Sequence, residues 1–103
     1  MELQVKIHIG NDLVDSKEVI ERLVHENLQN KLDQYLNKFD KKEDAEGTIE
    51  LTADKNTRGL FDAKLQVNID GQSYRYERED YKKLDDIINN LFKHFKEDLS
   101  SDK

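Results

Sequence analysis

The chain has 103 residues, enough for one domain with a modest core, and its 39% charged against 35% apolar residues leave a narrow margin of stability. The absence of cysteine excludes disulfides and thiolate metal sites, and no stretch is apolar enough to span a membrane or act as a signal peptide, so the expected location is the cytoplasm. A net charge of -6 argues against indiscriminate nucleic-acid binding, which needs a positive field, but leaves room for a local basic stripe.

Leu3, Val5, Ile7 and Ile9 alternate with Glu2, Gln4, Lys6 and His8, which predicts a half-buried strand with one polar face. Gly10-Asn11-Asp12 breaks it, and Asp15 with Glu18 three residues on reads as a capping box. Val19, Ile20, Leu23, Val24, Leu28, Leu32, Tyr35, Leu36 and Phe39 then recur at helical spacing, predicting a helix over Ser16 to Phe39. Asp40 to Glu46 is a charged linker closed by Gly47. Ile49, Leu51 and Ala53 mark a second strand, and Lys55 to Gly59 has turn chemistry. Phe61, Ala63, Leu65, Val67 and Ile69 alternate without a fault and mark the third. Asp70-Gly71 is a strong hairpin signal, because a type I′ turn needs positive φ at both central positions. Tyr74 and Tyr76 continue as a fourth strand, with core packing the expected role of both rings. The last helix is expected to start near Asp80 and to bury Tyr81, Leu84, Ile87, Ile88, Leu91 and Phe95.

Each strand is apolar on one face and each helix on one stripe. The economical arrangement is an α+β fold of two layers, βαβββα, with a four-stranded sheet and both helices packed on one face. Residues 1–99 form this single domain and 100–103 a flexible tail.

Catalytic chemistry is not visible. His8, His25 and His94 fall on three different elements without metal-ligand spacing, and there is no phosphate-binding glycine loop or nucleophile motif. Asp85 and Asp86 are adjacent on a helix, so they diverge and do not make an acid–base pair. Neither enzyme activity nor a cofactor or metal is expected. The polar sheet face, Gln4, Lys6, His8, Glu50, Thr52, Lys64, Gln66 and Asn68, offers no aromatic ring on which an RNA base would stack. The helices offer more. Lys82, Asp86, Asn89, Lys93 and Lys96 follow helical spacing, Lys83 sits beside them, Lys31 and Lys38 are two turns apart on the first helix, and Arg75 and Arg78 lie on strand four and at its exit. Such cations can neutralise phosphates without base contacts, though Asp85, Asp86 and Glu97 dilute the stripe toward an ordinary solvated surface.

Ile9-Gly10-Asn11-Asp12-Leu13-Val14-Asp15, Lys31-Leu32-Asp33-Gln34-Tyr35-Leu36 and Glu79-Asp80-Tyr81, with Asp86 six residues after Asp80, resemble the short form of the ribosome hibernation-promoting, ribosome-associated inhibitor family, also labelled sigma-54 modulation proteins. The resemblance spans nearly the whole chain and implies the same βαβββα fold. It implies a non-enzymatic factor that binds the small ribosomal subunit near the decoding region and inhibits translation. Carried over by position, it implies rRNA phosphate contacts from Lys31, Lys82, Lys83, Lys93 and Lys96, with Arg75 and Arg78 as weaker candidates. The short form is expected to act as a monomer and not to pair ribosomes.

The acidic excess lies in the first half: residues 1–54 carry seven Lys or Arg against thirteen Asp or Glu, and residues 55–103 carry ten of each. This supports a rival expectation, a protein-interaction module on the same fold that meets a basic protein partner instead of rRNA.

Overall fold

The structure, a computed structural model, describes residues 2–28, 46–69 and 71–101. Strand β1 (Glu2–Ile9) leads through a 3-10 turn (Asn11–Ser16) into helix α1 (Lys17–Asn27). Strands β2 (Glu46–Lys55), β3 (Phe61–Ile69) and β4 (Gln72–Tyr81) follow, and helix α2 (Leu84–Ser101) closes the order. The sheet runs β1-β2-β3-β4, with β1 parallel to β2 and the rest antiparallel, so the α+β fold expected from the sequence is the observed one.

One core holds the layers together. Ile20, Leu23 and Val24 of α1 meet Ile49, Leu51, Leu65 and Val67 of the sheet and Ile87, Ile88, Leu91, Phe92, Phe95 and Leu99 of α2. Burying a large apolar side chain of this kind contributes about 1.5–3 kcal/mol, so the strict alternation of β3 is a direct source of stability. Both tyrosines of β4 pack as expected: Tyr76 is buried, and Tyr74 sets its edge on Phe95 with ring centroids 5.3 Å apart. In β1, Ile7 and Ile9 pack against the core while Val5 stays exposed, because an edge strand is flanked on one side only.

Three boundaries differ from expectation. Asp15 does not cap α1: it lies inside the 3-10 turn, Ser16 takes the N-cap position, and no side chain caps the helix there. The tighter turn is favoured because it drops Leu13 into the core, with the Leu13 N–H donating to the Gly10 carbonyl at 2.9 Å. The last helix does not start near Asp80. Asp80 has φ 61°, which no helical residue adopts, and β4 carries one extra residue there against β3, so the strand runs on to Tyr81 and the helix starts at Leu84. Finally, α2 takes in Ser100 and Ser101, which the sequence alone assigns to the tail. The expected second half of the first helix, with Lys31 and Lys38, and the linker up to residue 45 lie outside the described residues.

Candidate nucleic-acid interface

Helix α2 turns Ile87, Ile88, Leu91, Phe92, Phe95 and Leu99 inward, and this leaves Asp86, Asn89, Asn90, Lys93 and Lys96 on its other side. With Tyr81 at the end of β4 these five residues line an open groove of about 590 Å³. Lys82 and Lys83 are exposed in the turn just before α2, not on the helix.

The two asparagines are held at opposite sides of the groove. Asn27 of α1 is buried, and its amide N–H groups donate to the Leu23 carbonyl at 2.8 Å and to Asn89 Oδ1 at 2.8 Å. A backbone carbonyl can only accept, so the Asn27 amide orientation is fixed, and with it the oxygen of Asn89. On the other side Arg78 Nε donates to Asn90 Oδ1 at 2.8 Å, and a guanidinium can only donate, so the Asn90 oxygen is fixed too. Both side-chain oxygens are therefore occupied, and among the described residues neither NH₂ group has a partner. Asn27 Oδ1 is buried without a hydrogen bond, a cost of about 1–3 kcal/mol that accompanies the pinning of Asn89.

The predicted cations divide by position. Lys93 and Lys96 line the groove, and Lys82, Lys83 and Lys93 form no ion pair among the described residues. Arg78 reaches across to α2: besides Asn90 it donates to His94 Nδ1 at 2.8 Å and to the Glu77 carbonyl at 2.7 Å. A second, smaller recess lined by Arg78, Asn90, Lys93, His94 and Glu97 adjoins the groove there. Arg75 lies elsewhere. It pairs with Gln66 across the sheet, on the face away from the helices, and its guanidinium is tied to Glu77 Oε1 at 2.8 Å. Lys31 lies outside the described residues. On that outer face His8 and Glu50 bond at 2.7 Å and Ser73 donates to Asn68 at 2.6 Å, a solvated polar surface as expected.

The sequence matches no protein-family model and no curated protein. It is similar in structure to the N-terminal domain of Thermus thermophilus Protein Y. The TM-score is 0.59 at 17% identity, over 100% of both chains. At that identity the likeness shows a shared fold along the whole length of the Protein Y domain.

Helical spacing puts Lys82, Asp86, Asn89, Lys93 and Lys96 on one side; the last four do line the groove, while Lys82 precedes the helix. The spacing misses Asn90 and Tyr81. Asn90 carries no signal of its own, because its role depends on Arg78 arriving from β4. Tyr81 is expected only as a buried residue of a helix that begins four residues later than the sequence suggests; at the end of β4 it does pack against the core, but half-exposed, and so also lines the groove.

Proposed function

We propose that the protein binds the small ribosomal subunit and inhibits translation by occupying the decoding region, where mRNA and tRNA would lie. Lys82, Lys83, Lys93 and Lys96 act as phosphate anchors, and Arg78 supports them from β4. Lys31, which lies outside the described residues, is a further anchor carried over from the sequence resemblance, and Arg75 makes a secondary contact on the opposite face. The action is steric, so it needs no catalytic group or cofactor, and a cytoplasmic monomer suffices.

The observation that carries this reading is the convergence of cations and amide donors on one groove along α2, in a protein whose net charge is otherwise negative. The sequence resemblance to hibernation-promoting factors and the fold shared with the Protein Y domain support it. The test is co-sedimentation with isolated small subunits across a salt series. Binding should weaken steeply with salt, and a Lys82→Glu, Lys93→Glu, Lys96→Glu triple variant should lose it. Unchanged binding by the triple variant at moderate salt would overturn the anchor assignment. Retention of a stoichiometric protein partner, with no subunit bound even at low salt, would overturn the ribosomal reading.

A further inference from the structure

We infer that the α2 groove is a base-binding subsite for an unpaired nucleotide of single-stranded RNA, rather than a strip of phosphate anchors alone; this rests on the RNA-binding reading of the same face. Three donor groups face a ligand here: the NH₂ of Asn89, the NH₂ of Asn90 and the ammonium of Lys93. The two amides are donors by construction, since Asn27 and Arg78 occupy their oxygens. A bare phosphate anchor needs no such device; lysines do that work in any orientation. Two neutral donors held in place from opposite sides instead match the carbonyl oxygens on the edge of a base.

The other two walls narrow the ligand further. Tyr81 offers an aromatic ring, half-buried and therefore held, and a base can stack on it only when it is out of a duplex. Asp86 offers a carboxylate, which repels an acidic peptide but accepts from the ring N–H of uracil or guanine. Lys93 then meets the phosphate of the same nucleotide, beside Lys96. An A-form helix keeps its bases stacked and presents mainly 2′-hydroxyls and phosphates, so it could use the lysines but not the ring.

Asn90→Asp tests this cleanly. It keeps an oxygen for Arg78, so the bridge to β4 survives, and it replaces the outward donor by an acceptor. Gln66→Glu, on the exposed outer face of the sheet, adds the same charge away from the groove and controls for general repulsion. Titrated with an oligouridylate, the Asn89 and Asn90 side-chain NH₂ resonances of the wild-type protein should shift. They should not shift with inorganic phosphate, and an RNA duplex should move them less than the single strand does. Asn90→Asp should weaken oligouridylate binding about tenfold, the loss of one well-made hydrogen bond, and Gln66→Glu less than twofold. Equal losses in the two variants, or amide shifts with phosphate alone, would overturn the inference. So would a duplex bound at least as well as the single strand. The ribosomal reading is read out separately: if wild type and Asn90→Asp sediment equally with small subunits, the subsite is wrong and the ribosomal reading stands. If oligouridylate binds in the groove but no subunit does, the reverse holds.

Discussion

The Asp80 carboxylate accepts from Asn56 Nδ2 at 2.7 Å and from Arg58 Nη2 at 2.6 and 2.7 Å, while its own N–H donates to Asp62 Oδ1 at 3.0 Å. Asn56 in turn donates to Asp62 and accepts from the N–H groups of Arg58 and Leu60, so one residue of β4 ties down the whole β2–β3 loop. The Arg58 side chain is mostly exposed, and an exposed ion pair is worth about 0–1 kcal/mol, so Arg58→Ala should cost less than about 1 kcal/mol. Asp80→Ala should cost more, about 2 kcal/mol, because it also removes one of the two carboxylates that the Asn56 amide donates to and puts alanine at φ 61°. Asp80→Gly should lie between them, since it loses the same bonds but removes the backbone strain. Urea unfolding of the three variants checks the order; a glycine variant weaker than the alanine one would show that strain at this position is immaterial. Tyr76 makes a second residue-scale prediction. Burial holds its phenol well above the ordinary tyrosine value, and its hydrogen bond to Asp98 at 2.7 Å adds to the effect. The unfolded chain releases that proton near about pH 10, and the folded protein keeps it. Above that pH the folded state binds more protons than the unfolded one, so stability present below pH ~10 should decline as pH rises further. Tyr76→Phe should flatten this decline between about pH 9 and 11, measured as the urea midpoint; an unchanged slope would mean that other groups carry the alkaline loss.

At the scale of elements, the β3–β4 hairpin and α2 make opposite demands. Gly71 sits at φ 81° with open space around its Cα, so Gly71→Ala meets no clash, only backbone strain, and should cost about 1 kcal/mol. Phe92 of α2 is almost fully buried in the core, and Phe92→Ala should cost about 3–5 kcal/mol, enough to unfold a domain of this size at moderate temperature. A Tm scan distinguishes the two: a shift of several degrees for Gly71→Ala, loss of a cooperative transition for Phe92→Ala. What could be read from sequence follows the same division. The alternation of β3 and the hairpin into β4 are local signals that tertiary structure had no reason to override: β3 buries every second side chain from Ala63 to Ile69, and the hairpin register closes at Ile69 opposite Gln72 with Gly71 at positive φ, while Asp70 lies outside the described residues. The start of α2 was not legible, because Asp80 is a good helix N-terminal residue in isolation and becomes a strand residue only through Asn56, Arg58 and Asp62. Phe92 and Leu99 escaped because the buried stripe of α2 is wider than one 3.6-residue seam: it faces both the sheet and α1. In the groove the helical spacing gave Lys93 and Lys96, but the fixing of Asn89 and Asn90 depends on Asn27 and Arg78, which lie 62 and 12 residues away in sequence.

For the whole molecule the deciding quantity is charge. Seventeen Lys and Arg face twenty-three Asp and Glu, and ten of those cations lie in residues 55–103 with the groove. At physiological salt an exposed charge is felt over about 8 Å, so a polyanion docked on α2 is governed by the local balance of Lys82, Lys83, Lys93 and Lys96 against Asp85, Asp86 and Glu97 more than by the net charge of the chain. If those four lysines each meet one phosphate of a single strand, log affinity should fall by about 3 per tenfold rise in salt, at roughly 0.7 per phosphate. A Lys82→Gln, Lys93→Gln double variant should bind more weakly and with a slope shallower by about 1.4. The same variant separates the two functional readings by sign. It leaves the protein more acidic, so a basic protein partner docking on the acidic half would be held as tightly as before or more so. Weaker binding with a shallower slope therefore identifies phosphate as the ligand of α2. Tighter binding of a protein partner, with no loss of salt dependence, would instead assign this fold's working surface to residues 1–54.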